Sequence, residues 1–151
     1  MLFRSKIFGH GLSYTTFEVE DFALSADTLP TDGSIQARCR ITNTGSRPGD
    51  QVLQLYYHFS GAHVIRPCMQ LVGFVRVSLA PGESKQVAFT LQAAQLGYYN
   101  EEMAFVVEPG PAELSLGTSS ADLCGTAAFQ ITGAPVDLLG RRSYACEVSV
   151  Q

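Results

Sequence analysis

Long apolar runs and clusters of basic residues are both missing from this chain of 151 residues. No apolar run approaches the roughly 20 residues needed to cross a bilayer. Ten Lys and Arg residues stand against fourteen Asp and Glu residues, so no basic stripe is available to neutralise nucleic-acid phosphates. We therefore expect neither a membrane nor a nucleic acid as a partner. Hydrophobic residues make up 46% of the chain, which is enough for one packed core.

Paired metal ligands are also missing. The four cysteines form no C-x-x-C pair and have no histidine at ligand spacing, and the three histidines are scattered. We therefore expect no metal and no cofactor. Four cysteines permit three disulfide connectivities or four free thiols, and the sequence does not choose among them. These residues are Cys39, Cys68, Cys124 and Cys146, and His10, His58 and His63.

No pattern of catalytic residues is evident. A glycosidase needs two carboxylates about 5 to 10 Å apart, one of them with a raised pKa, whereas the acidic residues fall mostly in predicted turns or on outward strand positions. Glu101 and Glu102 are the one adjacent pair, and neighbours in a hairpin point to opposite sides. Residues 11–15 fail the G-x-S-x-G nucleophile pattern at its last position. We expect no catalytic residue in this chain.

Alternation of apolar and polar residues with a period of two dominates the chain, and turn residues interrupt it. Alternate residues of 35–41 and of 53–59 form apolar faces, which leaves Gln54, Tyr56 and His58 pointing outward, and His58 is expected to be solvated. No alternation of strands with helices appears, so a parallel α/β fold is excluded. The pattern predicts an all-β protein, an antiparallel sandwich of two sheets.

Three local irregularities are expected within this pattern. The alternation shifts between Val19 and Phe22, which predicts a bulge near Glu20 and Asp21. Gly73 predicts a second bulge or a close backbone approach, although Leu71 is expected on the same inner face as the apolar residues that follow it. Residues 93–96 are the one candidate for a helical turn.

Residues 1–16 are predicted to be an N-terminal connector, residues 17–132 the sandwich, and residues 133–151 a C-terminal extension. The extension is expected either to add a strand or to dock loosely. Glycine and hydroxyl residues make 8–17 a bending junction rather than the beginning of a fold. Residues 1–6 carry two positive charges without an apolar segment behind them, so they do not predict a secretory signal. The sequence does not identify the cellular compartment of the protein.

Five blocks of the sequence, read in order along the chain, form one set of motifs. They are Phe8-Gly9-His10-Gly11-Leu12-Ser13-Tyr14-Thr15-Thr16-Phe17, the turn region 41–56, Arg66-Pro67 with Gln70-Leu71-Val72-Gly73-Phe74, Leu79-Ala80-Pro81-Gly82-Glu83-Ser84-Lys85, and Val107-Glu108-Pro109-Gly110 with Leu116-Gly117-Thr118-Ser119-Ser120. Each block by itself is also a turn or strand junction that any β domain can contain. Together, in this order and at this spacing, they resemble the C-terminal fibronectin type III-like domain of family 3 glycoside hydrolases, which are enzymes of the β-glucosidase and β-xylosidase type.

The resemblance implies an immunoglobulin-like sandwich and an accessory role without catalysis. In that family, the nucleophile and acid that hydrolyse β-glycosides lie in other domains of the same polypeptide, so those catalytic domains are the implied partner. The domain would pack on them and stabilise them. The connector supplies apolar residues for that packing, which are expected to be exposed and to promote self-association of the isolated chain. They are Ile7, Phe8, Leu12, Tyr14 and Phe17.

Two alternatives stay open. A stand-alone carbohydrate-binding module would use outward tyrosines beside amides and hydroxyls, and a protein-interaction module would have a protein partner. In relatives of the resembled domain, the loop equivalent to 59–66 can lean toward the catalytic domains, so His63 and Arg66 are candidates for the rim of the active site. The candidate tyrosines are Tyr14, Tyr56, Tyr98 and Tyr99.

Overall fold

The computed structural model describes residue 9 and residues 11–61, 67–139, 143–144 and 146–151. Strands make up most of this part of the chain, and the predicted helical turn is a single 3₁₀ turn at Ala93–Leu96. The strands are β1 (Phe17–Leu24), β2 (Thr28–Pro30), β3 (Ser34–Asn43), β4 (Gly49–Phe59), β5 (Gln70–Leu79), β6 (Ser84–Gln92), β7 (Tyr98–Tyr99), β8 (Phe105–Val107), β9 (Gly110–Gly117), β10 (Leu123–Thr132), β11 (Val136–Asp137) and β12 (Glu147–Val150).

The strands form two main sheets and one small one. The first sheet has the order β1-β3-β6-β12, the second β2-β10-β9-β4-β5, and the small sheet β11-β8-β7. All the pairs are antiparallel except the short pairing of β2 with β10. The predicted all-β, immunoglobulin-like sandwich is confirmed. No helix in the described part of the chain is long and apolar enough to span a membrane.

The core lies between the inner faces of the two main sheets, as the alternation predicts. Each large apolar side chain removed from water there contributes about 1.5–3 kcal/mol before the cost of ordering the chain. The largest side chains with less than 2% exposure are Phe89, Leu29, Ile35, Ile41, Leu53, Leu55, Leu91, Leu96, Leu114, Leu116, Ile131 and Val87.

Both predicted bulges are present. The register of β1 against β3 shifts between Glu20 and Ala23, and Asp21 has a φ of 56°. The register of β4 against β5 shifts beside Gly73, where an added Cβ would lie 3.1 Å from the Cys146 Sγ atom. The prediction that Leu71 lies on the inner face is wrong, because the extra residue of the second bulge places Leu71 opposite Tyr56 on the outer side of the sheet.

Of the two alternatives for the end of the chain, the structure has the added strand. β12 pairs with β6 along four residues, and the backbones of Gln86 and Gln151 exchange hydrogen bonds of 2.8 and 2.9 Å. Before it, β11 pairs with β8, and Leu138 is buried against Gly97. The segment therefore crosses from the small sheet to the free side of the first main sheet.

Candidate functional site

A buried amide helps to fix the connector to the sandwich, next to the hydrogen bonds that Thr44 donates to Thr16. Asn43, with no exposed surface, ends β3 and satisfies its whole side chain. Its Nδ2 atom donates to the carbonyls of Arg47 (2.8 Å) and Leu79 (3.1 Å). Its Oδ1 atom accepts from the Thr15 hydroxyl (2.8 Å) and the Gly45 backbone N–H (3.0 Å). One side chain thus joins the connector, the β3–β4 turn and the end of β5.

Gln54 and Tyr56 point to the outer face of β4, as predicted, but another segment covers that face. Both residues are only 4% exposed. The Gln54 side chain donates to the Thr118 carbonyl and accepts from the Tyr56 hydroxyl, and burial raises the pKa of Tyr56. Gly9 lies so close to the Gln54 amide that no Cβ would fit there. The connector therefore passes over this face.

A groove of about 590 Å³ lies between the connector, the start of β4 and the turn between β9 and β10. Leu12 and Tyr14 project from the connector beside it and are 96% and 94% exposed. Phe17, at the start of β1, is half-buried against the core. Two of the predicted connector residues, Leu12 and Tyr14, are therefore available to a partner, whereas residues 7 and 8 lie outside the described residues.

The four tyrosines proposed as a sugar platform do not share one surface. Tyr56 is buried, and Tyr98 is 9% exposed with its hydroxyl donating to the Glu108 carboxylate. Tyr99, in β7, is 56% exposed and meets the edge of Phe105 at a centroid distance of 5.1 Å. Tyr14 lies on the connector. The geometry gives no support to stacking of a sugar across several of these rings.

A second groove, of about 470 Å³, is lined by acidic side chains around the turn between β7 and β8. We call the four carboxylates that line it the acidic corner. The turn is held by the Asn100 Oδ1 atom, which accepts from the backbones of Glu102 (3.1 Å) and Ala104 (3.0 Å), and Met103 takes a φ of 60° and is 76% exposed. The members of the corner are Glu101, Glu102, Glu108 and Asp137.

None of the fourteen carboxylates, all within the described residues, is buried. Hydrogen bonds from Ser78 and Arg76 lower the pKa of Asp50, and one from the Ala80 backbone lowers that of Glu83. These shifts run opposite to the raised pKa that a general acid needs. Within the described residues no group of His, Cys, Asp and Glu is arranged to hold a metal.

The predicted rim residues His63 and Arg66 lie outside the described residues. His58, at the end of β4 before that loop, was expected to be solvated. It is instead half-buried, and its Nδ1 atom is buried without a hydrogen-bond partner among the described residues. Strand parity identifies its face correctly, but parity does not tell what covers that face.

All four cysteines lie within the described residues, and all four are free thiols. Burial raises the pKa of Cys39 to about 12 and that of Cys146 to about 11. Cys39 is a core residue of β3, and Cys146 packs against Gly73 of β5. The raised pKa values leave the Cys39 and Cys146 thiols poorly ionised, so these two residues are unsuited to nucleophilic chemistry.

Comparison with known proteins identifies the domain. The family described as "Fibronectin type III-like domain" matches residues 51–120. These residues belong to that family. The resemblance found in the sequence is thereby confirmed, and the relatives of this fibronectin type III-like domain are family 3 β-glucosidases and β-xylosidases.

The relatives are much longer than this chain. The periplasmic beta-glucosidase of Salmonella typhimurium is 43% identical over 114 residues, which are 76% of this chain and 15% of that protein. Beta-glucosidase BoGH3A of Bacteroides ovatus is 39% identical over 82% of this chain and 17% of its own length. The fibronectin type III-like chain thus spans about a sixth of the length of these relatives.

Solved structures agree with the sequence relatives. The beta-glucosidase from Listeria innocua in complex with glucose superposes with a TM-score of 0.79 at 32% identity, covering 84% of this chain and 17% of that one. Beta-glucosidase 3B from Thermotoga neapolitana, also with glucose, gives a TM-score of 0.77 at 32% identity, covering 86% and 18%. The sandwich is therefore homologous to one part of larger glycoside hydrolases.

Proposed function

We propose that this chain is the accessory domain of a family 3 glycoside hydrolase, where it packs on the catalytic domains and stabilises them during hydrolysis of β-glycosides. The bond-breaking carboxylates would belong to those domains. The division into a connector (1–16), a sandwich (17–132) and a C-terminal extension (133–151) is part of this proposal.

One observation carries the proposal: the segment that resembles the family's junction contacts the sandwich through Gly9 and Thr15, and the described residues between them are exposed. Asn43 holds Thr15 to the sandwich, while Leu12 and Tyr14 expose nearly all of their surface. Exposed apolar residues beside a fixed tether favour docking, because burying them removes apolar area from water. The fraction of each relative that the chain matches, about a sixth, supports the same role.

A graft tests this function. The matched segment of the Salmonella periplasmic beta-glucosidase is replaced by the present chain, and the graft is compared with a variant in which the segment is deleted. We expect the graft to unfold in one transition at a higher temperature than the deletion variant, because docking couples the two parts. An unrelated β-sandwich of similar length, joined by the same connector, is the control.

The number of unfolding transitions decides whether the chain stabilises its partner. If the graft melts in two independent transitions, with the catalytic part melting where the deletion variant melts, the chain does not stabilise its partner. The same result from the unrelated sandwich as from the present chain would also remove the proposal, because any gain would then come from the tether alone.

The active-site rim is a separate prediction within this function. Replacing His63 and Arg66 by alanine in the graft should lower kcat/KM for an aryl β-glucoside and leave the unfolding temperature unchanged. Unchanged kcat/KM would remove the two residues from the active site without affecting the accessory role.

A further inference from the structure

Exposed apolar side chains lie on the connector and on the outer side of the neighbouring strands β4 and β5. Phe74 of β5 is 66% exposed and stands opposite Gln54, and Val52, the next outward residue of β4, is 37% exposed. Leu12 lines the same groove as Val52. We call Leu12, Val52 and Phe74 the connector face. Gln54, the register partner of Phe74, is buried, and its amide is already hydrogen-bonded.

Arg76 and Asp50, two charged residues near the connector face, compensate each other. The Arg76 guanidinium lies opposite Val52 and forms an ion pair with the Asp50 carboxylate, with the Nε atom 2.9 Å from Oδ2. Asp122, at the far side of the groove, accepts a 2.6 Å hydrogen bond from the Thr118 hydroxyl. Of these three described charges, a partner that covers this face would desolvate only that of Asp122 without an ion pair.

The acidic corner has exposed apolar side chains too, but its electrostatics oppose burial. Tyr99, at the end of β7, and Met103, in the turn that follows, are exposed beside the groove that the four carboxylates line. Among the described residues, no Lys or Arg lines this groove. Covering the corner would take four like charges out of water, at a cost of several kcal/mol for each unpaired ion. An apolar partner surface is therefore favoured at the connector face and disfavoured at the acidic corner.

We propose that the connector face is the surface that docks on the catalytic body of the same polypeptide, against an apolar patch of that body, while the acidic corner stays in water. This inference rests on the proposed accessory function and specifies its interface. The occupant follows from the tether. Gly9 lies on Gln54 within the same face, so a body joined through the connector is held beside it at high effective concentration.

The experiment uses oxidative footprinting by hydroxyl radicals on the graft and on the isolated chain. We expect labelling of Phe74 and Leu12 to fall several-fold in the graft, whereas labelling of Met103 and Leu139 stays the same. Met103 and Leu139 are the matched reference, since they are apolar and 76% and 82% exposed.

Two double variants of the graft test the same surface. Leu12→Asp with Phe74→Asp should lower the unfolding temperature of the graft to that of the deletion variant. Met103→Asp with Leu139→Asp, the control, should leave it unchanged. Urea unfolding of each double variant in the isolated chain shows that the fold itself survives.

The outcomes separate the interface from the function. Stabilisation of the graft without protection of Phe74, or with protection of Met103 instead, overturns the connector face and keeps the accessory role. An unstabilised graft with neither residue protected overturns both. Protection of Phe74 in the graft that is lost when the graft is diluted to monomers would assign this face to a second copy of the chain and overturn the proposal.

Discussion

At the scale of single residues, Asn43 explains why the Asn-Thr-Gly turn can serve as a junction. Its amide makes four hydrogen bonds from a fully buried position, and they reach the connector, its own turn and the end of β5. A shorter or apolar side chain would leave buried carbonyl and N–H groups unpaired, and each such group costs about 1–3 kcal/mol. Asparagine supplies two donors and an acceptor that takes two bonds, which this position requires.

Asn43→Ala should therefore lower the free energy of unfolding by about 3 kcal/mol, measured by urea denaturation. Thr15→Val removes one of the four bonds and should cost about 1 kcal/mol. Equal losses from the two substitutions would contradict the role assigned to Asn43, because the connector bond would then account for the whole effect.

The second residue-scale prediction concerns acid. The Glu83 carboxylate accepts a 2.7 Å hydrogen bond from the Ala80 backbone, which lowers its pKa below the ordinary 4.5. A carboxylate with a lowered folded-state pKa stabilises the fold above its ordinary pKa, and that contribution is lost as the pH falls through the folded value. Glu83→Gln should thus be less stable than the native chain at neutral pH and equally stable at about pH 2.

Thermal unfolding at the two pH values provides the measurement. Glu18→Gln, at an exposed position of β1, is the control. A stability difference for Glu83→Gln that persists unchanged at acid pH would show that the hydrogen bond does not depend on the charge.

At the scale of elements, the last strand closes the side of the sandwich that would otherwise expose β6. The outward residues of β12 are solvated, but Val148 packs against the core next to Phe89, its partner in the register. An unpaired β6 would present free backbone groups to other chains. The extension is therefore expected to protect the sandwich as well as to lengthen it.

Val148→Asp should lower the free energy of unfolding by about 2 kcal/mol and speed hydrogen exchange along β6, because it buries a charge at the inner side of β12. Ser149→Asp changes the neighbouring residue on the solvated side and should change stability by less than about 0.5 kcal/mol. Equal effects would mean that β12 is not packed on the core.

The strands also show which structural features can be predicted from the sequence pattern. Alternation predicts the inner faces of β3, β4 and β9, and the bulge near Asp21 follows from a parity shift. Leu71 is misplaced because a bulge at Gly73 changes parity on one side only. The burial of Gln54 and Tyr56 is missed because parity tells which way a side chain points and not which segment lies over it.

At the scale of the whole molecule, the resemblance predicts the fold and the family of the relatives, whereas local sequence patterns do not reveal the connector face. Of the three residues of that face, only Leu12 is predicted, as one of the apolar residues of the connector. Phe74 is missed, and the signal that could have found it is an apolar residue at an outward position next to the bulge glycine. The face exists only when β4, β5 and the connector come together.

In the function that we propose, this chain packs on the catalytic domains, and those domains hydrolyse the glycoside. None of its carboxylates is buried, the pKa values of Asp50 and Glu83 are lowered rather than raised, and its exposed apolar residues lie next to a tether. The most direct test is hydrolysis of an aryl β-glucoside and an aryl β-xyloside by the purified chain of 151 residues. The account predicts no turnover above the rate in buffer. Saturable turnover that is abolished by replacing one of the chain's own carboxylates would contradict it.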